Sequence, residues 1–540
     1  MQGQPAARMA RDSAQSVSGA SAPTTRPGGP HSGAATRPAS GGGVQQAPRP
    51  ARPQQPGGGR GGGGGGRGSG GPGGGGNRDT RLQMDPVEKA RRQMGYKNNW
   101  HRKEVDHSNQ VRWPEPLVPN PRVAIIGGGM SGLMCARELA RLGIRSTVFD
   151  TGKHGVGGRM GTRASGEASL RSGTGTTAAS TKAAAAQLGG LVFDHAAQFF
   201  TVTDPSFQSV VDDWLATGLV RVWDGPVGTL RAGGSAGGAG AFAALPPRPP
   251  RYVAVGGMRR LAEELGEALE AGGGGLVEFR RPCWVGKMQA EEGRGWALSG
   301  EGRSQGVFDA VVVAHNGKCA NRLVGPTGAP KVAEQLMRLK LNAVWCLMVA
   351  FDGPLPVNFE GAFVQGSPVL SWAANNTAKL ELRHTPAGTQ CWTLFSTNAY
   401  GQANKVPQEN IPPEVADKVA AEMVAALREA VGGPEGSPTA AAVAAKWPKT
   451  VFTRVQLWGA ALPLNTPGTP CILDPDSRVG VCGDWLSGGS LQAAAVSGIT
   501  LARQIAGLRG KTQAQLDPFR LGLEAQFRPL RATDIGEFPH

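Results

Sequence analysis

Residues 122–162 read RVAIIGGGMSGLMCARELARLGIRSTVFDTGKHGVGGRMGT, an order of elements that few folds accommodate. Val123 to Ile126 is a short apolar, β-branched run suited to a strand buried on both faces. It ends in Gly127-Gly128-Gly129-Met130-Ser131-Gly132, a G-x-G-x-x-G. Met130, Leu133, Met134, Leu139 and Leu142 then recur at helical spacing, with Arg137, Glu138 and Arg141 opposite, until Gly143 stops the helix. A second strand, Ser146 to Phe149, closes on Asp150, about 20 residues beyond the glycines. Strand, glycine turn, helix, strand and acid together read as a dinucleotide-binding unit. Gly127 permits the tight turn, Gly129 lets backbone approach a pyrophosphate, and Gly132 brings helix and strand close. The helix start at Met130 and Ser131 offers unpaired N–H groups and a partial positive charge to phosphates. Asp150 is suited to accept hydrogen bonds from ribose hydroxyls.

Two further segments point to a flavin rather than a nicotinamide. Gly155 to Arg163 reads GVGGRMGTR, in which Gly157, Gly158 and the fixed charge of Arg159 form a second clamp for the pyrophosphate. The competing reading is a surface loop with a solvated arginine. Far downstream, Val479 to Trp485 reads VGVCGDW and Leu491 to Ile505 continues as a helix. That strand delivers Gly483-Asp484 to a helix start, where the carboxylate can hold a polyol hydroxyl. Gln492 lies in the first turn of the helix as a further cofactor contact.

GxGxxG, GGRMGTR, FDHAAQFF (Phe193 to Phe200), Gly483-Asp484 and AAAVSG together resemble the renalase-like branch of the FAD-dependent amine oxidase superfamily, with plant and algal members the nearest match. The resemblance runs from about Arg122 to the C-terminus, through YVAVGGMRRLAEEL and FDAVVVAHNGKCANRL, and leaves out the N-terminal tail and the inserts. It implies an α/β fold: a discontinuous Rossmann-like FAD-binding domain of the glutathione-reductase and amine-oxidase type, with a second substrate domain on a mixed β-sheet. FAD-binding parts are expected at 121–200, 251–320 and 476–510, and substrate-domain parts at 201–250 and 321–475, with a C-terminal segment at 511–540. The resemblance also puts Val285 where family members contact adenine through the main chain, and FDHAAQFF beside the flavin, making His195 and Gln198 substrate-side candidates. For both, the alternative is simple satisfaction of backbone groups in a polar turn. Ala196 stands where the animal and bacterial pattern has glycine. Amine oxidases of the wider superfamily often use a lysine near the flavin and an aromatic cage; no motif here casts Lys340, Trp458 or Trp485 in those parts.

The net charge of +16 suggests nucleic acid until it is located: +11 of it falls in residues 1–122, leaving +5 for the rest. Nucleic-acid binding is therefore not expected of the body. Residues 1–120 read as an Arg/Gly/Pro-rich tail and linker, disordered up to residue 78 and then carrying Trp100 and Trp113 for docking. Arginine-rich, acid-poor composition also suits an organelle transit peptide; the plant resemblance favours the chloroplast over mitochondrion or cytoplasm. An RGG-like RNA-binding tail is the rival reading, disfavoured by the few RGG units. The seven cysteines sit singly without C-x-x-C, so a disulfide framework is not expected, and no His/Cys cluster suggests a metal. No apolar run approaches the ~18 residues a spanning helix needs. Residues 164–190 read as a flexible insertion, with a lid as the alternative, and residues 231–250 as a second insertion.

Strands are also expected at 276–287, 307–315, 339–351 and 391–396, and helices at 257–271 and 415–431. The expected chemistry is hydride transfer from a small-molecule donor, such as a reduced nicotinamide dinucleotide, to flavin N5, with reoxidation by oxygen or another acceptor. The alternatives are an amine oxidase acting on a primary amine or polyamine, and a non-catalytic flavin-binding or interaction protein. An NAD-only dehydrogenase conflicts with GGRMGTR and Gly483-Asp484. Substrate identity and oligomeric state are not legible.

Overall fold

The computed structural model describes residues 85–93, 105–153, 155–164, 190–233, 240–272, 274–315, 317–382, 385 and 388–530. Most of the Arg/Gly-rich tail, Trp100, almost all of the 164–190 insertion and residues 531–540 lie outside them.

Two sheets carry the body. The first has six strands in the order Ile472–Asp474, Val479–Val481, Ala310–Val313, Arg122–Ile126, Arg145–Phe149 and Val277–Arg280. All pair in parallel except Ile472–Asp474, which is antiparallel to its neighbour. Its central strands are apolar runs because both faces are covered. Val123, Ile125 and Val312 face one core with the helices Met130–Arg141, Met258–Gly272 and Leu491–Gly507. Ala124, Ile126, Val311 and Val313 face a second core, shared with a three-stranded antiparallel sheet (Lys287–Glu291, Gly295–Gly300, Arg303–Phe308) and the helix Pro330–Arg338. Met258, Leu261, Leu265 and Leu269 are buried along one stripe of their helix, as their spacing predicts.

The second sheet has seven strands in the order Thr450–Trp458, Val344–Phe351, Gln390–Ser396, Leu370–Asn375, Gly361–Gln365, Val227–Arg231 and Ala241–Ala244. Only Gly361–Gln365 and Val227–Arg231 pair in parallel, so the sheet is mixed. Trp345, Leu347, Val349 and Leu394 pack beneath the helix Pro413–Gly432, whose Val415, Val419, Met423 and Leu427 are buried. Each such side chain contributes about 1.5–3 kcal/mol on leaving water. Cys346, Met348, Phe395 and Trp372 line the opposite face, with Phe193 and Trp223. Trp113 docks as the linker reading expects: it is buried, its indole N–H donates to the Ser477 carbonyl at 3.0 Å, and its ring meets Trp296 edge-on.

Three sequence expectations change. The strand expected over 276–287 is broken: Val277–Arg280 belongs to the parallel sheet and Lys287–Glu291 to the antiparallel one, with Pro282, which has no N–H to offer a ladder, in between. The run 307–315 is likewise two strands that turn at Asp309, whose N–H donates to the Arg122 carbonyl while its carboxylate accepts from the Arg122 N–H. Of the insertion expected at 231–250, Ala241–Ala244 is an edge strand paired with Val227–Arg231.

Candidate cofactor and substrate site

The first glycine turn lies at the C-terminal end of the Arg122–Ile126 strand. Gly127 has φ +117°, a conformation L side chains rarely adopt, and its N–H donates to Phe149 across the sheet. A Cβ on Gly132 would overlap the Gly127 carbonyl oxygen, so the third glycine is a matter of space between turn and helix. Gly129 caps the helix Met130–Arg141 with no side-chain hydrogen bond. The first-turn N–H groups of a helix have no intrahelical partner. The nearest atom to a Cβ on Gly129 would be the Gly157 carbonyl oxygen at 4.0 Å, so the ground before that helix start is open. Met130 is buried in the core and the Ser131 hydroxyl lies 3.5 Å from the Ala314 carbonyl, so only their backbone is suited to an anion.

The arginine turn lies against the first one. Gly129 and Gly157 bridge in parallel, and the Gly157 N–H donates to the Gly128 carbonyl at 2.7 Å. Arg159 thereby reaches the third segment. Its Nη1 and Nη2 grip both oxygens of Asp484 at 2.8 and 2.6 Å, and Nη1 also donates to the Ala461 carbonyl at 2.7 Å. Such a bidentate pair fixes orientation as well as charge. Gly483 is held beneath it by its N–H to Ser497 Oγ at 2.9 Å. Asp150 Oδ2 accepts from the Gly128 N–H and Oδ1 from the Gly152 N–H, both at 2.7 Å. The acid expected to meet ribose thus also braces the glycine turn. A dinucleotide fits this arrangement: an uncapped helix start with open ground at Gly129, a second glycine turn laid against the first, and the arginine and acid beside them.

Val285 is buried against the second core, in the loop after Pro282 rather than in a strand. Gln492 departs from its expected part. Its Oε1 accepts from the Thr203 and Asp204 N–H groups at 2.6 and 2.9 Å and its Nε2 donates to Thr203 Oγ1. The amide pins a loop to the helix start, because two backbone donors lie within its reach.

FDHAAQFF runs along the arginine turn. The His195 N–H donates to Gly161 and the Ala197 N–H to Arg159. Gln198 is a correction. Its Nε2 donates to the carbonyls of Asp194 (2.7 Å) and Ala196 (3.0 Å), and its Oε1 and its own carbonyl face Lys379 Nζ. The side chain satisfies backbone groups instead of facing a substrate. Ala196 keeps a negative φ, so glycine is not required there. His195 is 6 % exposed, its carbonyl accepts from Trp458 Nε1 at 2.9 Å, its ring meets the Trp458 ring edge-on, and its Nδ1 has no hydrogen-bond partner among the described residues.

Burial above all, then the charges of Arg163 and Arg454, push the His195 imidazole down to about 3. The unfolded chain binds this proton near pH 6.5 and the folded chain does not, so stability attributable to His195 falls as pH drops from about 6.5 toward 3. The expected slope is about 1.4 kcal/mol per pH unit. Urea midpoints measured across that range for the wild type and for His195→Gln should diverge toward acid. Parallel curves would contradict a buried neutral imidazole.

Beneath this segment lies an ion pair the sequence did not announce. Lys379 Nζ is 2.9 Å from Asp194 Oδ2, with the side chains 0 % and 1 % exposed. Asp194 Oδ1 accepts from Thr162 Oγ1 at 2.5 Å and from the Met258 N–H at 3.0 Å. Its main chain is held by Asn376 and Thr393. The pair therefore joins the arginine turn, FDHAAQFF and the seven-stranded sheet. Lys379 lies in NNTAKLEL, where nothing marks it as buried. Lys340 is exposed but lies ahead of the strand, which begins at Val344 rather than at residue 339 as expected. Trp485 is buried and stacks on Phe527. All seven cysteines are free thiols, and no His/Cys/Asp/Glu group suited to a metal occurs among the described residues. No helix among them is long and apolar enough to cross a membrane.

Comparison with known families gives two matches. The profile described as NAD(P)-binding Rossmann-like domain matches residues 125–214, and that described as flavin containing amine oxidoreductase matches residues 230–506. Tryptophan 2-monooxygenase of Pseudomonas savastanoi is 48 % identical over 43 residues; the match spans 8 % of this chain and 8 % of that relative. Among solved structures, cyclohexylamine oxidase from Brevibacterium oxydans IH-35A is 14 % identical, covering 72 % of this chain and 99 % of its own, with a TM-score of 0.48. Reduced UDP-galactopyranose mutase is 12 % identical, covering 74 % and 96 %, with a TM-score of 0.49.

Proposed function

The chain belongs to the flavin-containing amine oxidoreductase family, with FAD as its cofactor, and on that premise we propose that it is an FAD-dependent oxidoreductase that takes a hydride from a small-molecule donor. The observation that carries the reading is the bidentate Arg159–Asp484 pair set against two glycine turns and an uncapped helix start. When bound, FAD would supply a hydride acceptor at its N5 and a route for the electrons on to oxygen or another acceptor. The chain's own work is placement. Backbone N–H groups after Gly129 and at Gly158 would hold the two phosphates, and Asp484, steered by Arg159, would offer an oxygen to the polyol. The neutral His195 and Trp458, tied by an indole hydrogen bond, form a wall that keeps water from the donor. No acid/base pair is required of them.

FDHAAQFF, GGRMGTR and Gly483-Asp484 support the renalase-like branch, and with it a reduced nicotinamide dinucleotide as donor. The family description favours a second reading, oxidation of a primary amine or polyamine. Purified protein loaded with FAD and offered donors under nitrogen, then air, separates them. Bleaching of the flavin bands by reduced nicotinamides is the expected result. Bleaching only by amines, with ammonia released, would replace it with the second reading, and a flavin that no donor bleaches would contradict both.

A further inference from the structure

Arg454, Gln456 and Trp458 alternate along the strand Thr450–Trp458, so they share one face of the seven-stranded sheet. Trp458 ties that face to His195, as described. Arg163 arrives from a different element, the strand Thr162–Ala164 paired with Val192–Asp194, and its Nη2 donates to Gln456 Oε1 at 3.2 Å. Two guanidiniums from separate elements are therefore assembled beside one buried imidazole. Neither is fully exposed. Burial and the nearby charge of Arg163 hold Arg454 down to about 10, which is the signature of like charges drawn together in a poorly solvated place.

We propose that Arg163 and Arg454, with His195 Nδ1 and Gln456, form a seat for an anionic group of the substrate, a carboxylate or a phosphate. The inference rests on the oxidoreductase reading, which makes the ligand of this face the hydride donor. The buried His195 Nδ1 has no hydrogen-bond partner among the described residues, and each guanidinium beside it carries N–H donors in a fixed fork that suits the oxygens of an anion. The His195 ring is neutral, so its Nδ1 can carry the proton and donate to the same oxygen without a second charge being buried. Backbone hydrogen bonds from His195 to Gly161 and from Ala197 to Arg159 tie the seat to the turn that carries the Arg159–Asp484 pair. A donor held here by its anionic end would be aligned along the cofactor site. Uncharged amines gain nothing from such a seat, whereas amino acids and phosphate-bearing dinucleotides do.

The test is isothermal titration of the full-length, FAD-loaded protein with benzoate, inorganic phosphate and uncharged benzamide. Benzoate or phosphate is expected to bind at least roughly tenfold more tightly than benzamide, and the tighter of the two identifies the donor's anion. Arg454→Gln and Arg163→Gln should each weaken that anion by roughly ten- to a hundredfold, the loss of a charge-assisted hydrogen bond. Arg454→Lys should restore part of the affinity, since it returns the charge without the fork. The flavin absorbance of each variant reports that the cofactor site is intact. Benzamide binding as well as benzoate, no binding of either anion to the wild type, or wild-type anion affinity in both glutamine variants would overturn the seat. Absence of flavin from folded wild-type protein would instead sink the oxidoreductase reading, with the anion titration still readable on that protein.

Discussion

Lys379→Met is expected to destabilise the folded chain by about 3–5 kcal/mol, because it leaves the Asp194 carboxylate charged, buried and short of its counter-ion. Removing one member of a buried pair costs more than the pair contributes. The double variant Asp194→Asn, Lys379→Met should accordingly recover a large part of the loss, its amide oxygen still accepting from the Thr162 hydroxyl and the Met258 N–H. The urea midpoints of wild type, both single variants and the double variant complete the cycle. A Lys379→Met midpoint indistinguishable from wild type, or a double variant as unstable as the sum of the singles, would show that the pair is not the anchor described. The consequence reaches the site as well. Asp194 is the residue before His195, and the Thr162 it holds is three residues after Arg159, so a protein without Lys379 should also hold its flavin less tightly.

Asp484→Ala should weaken FAD binding by about 2–3 kcal/mol, roughly 30- to 150-fold in dissociation constant. The figure is reduced from that of a fully buried pair because Arg159 keeps 35 % of its side-chain exposure against 11 % for Asp484. Two losses combine: the polyol loses its acceptor, and Arg159 loses the two hydrogen bonds that aim it. Arg159→Ala should produce a similar drop, and the double variant little more than either, because both substitutions remove one shared interaction. Fluorescence titration of FAD onto the cofactor-free variants measures this. Wild-type affinity in Asp484→Ala, or strictly additive losses, would contradict the joint grip.

The βαβ unit was legible because its three signals are local: an apolar β-branched run, a glycine turn and a 3.6-residue period, all within about thirty residues. Arg159 and Asp484 could each be singled out from its own glycine turn. Their pairing could not, since they are 325 positions apart and nothing in either segment encodes the other. Lys379 was invisible for a related reason: a lysine is buried only when a partner folds onto it, and Asp194 comes from a distant strand. For Gln198 the alternative reading, satisfaction of backbone groups in a turn, describes its side chain, and the Gln492 amide is likewise taken up by the backbone donors of a neighbouring loop. The false single strands over 276–287 and 307–315 arise because an apolar, β-branched window records a preference for extended chain but not which sheet it joins. Pro282 and the Asp309 corner decide that.

Everything functional in this account depends on distant segments closing around one two-phosphate cofactor, and a binding comparison of FAD with FMN on the full-length cofactor-free protein tests it most directly. One FAD per chain is expected, with FMN at least roughly a hundredfold weaker, because FMN lacks the second phosphate that the proposed site, with its paired glycine turns, would hold. Folded protein that retains no FAD, or that binds FMN as tightly, would contradict it.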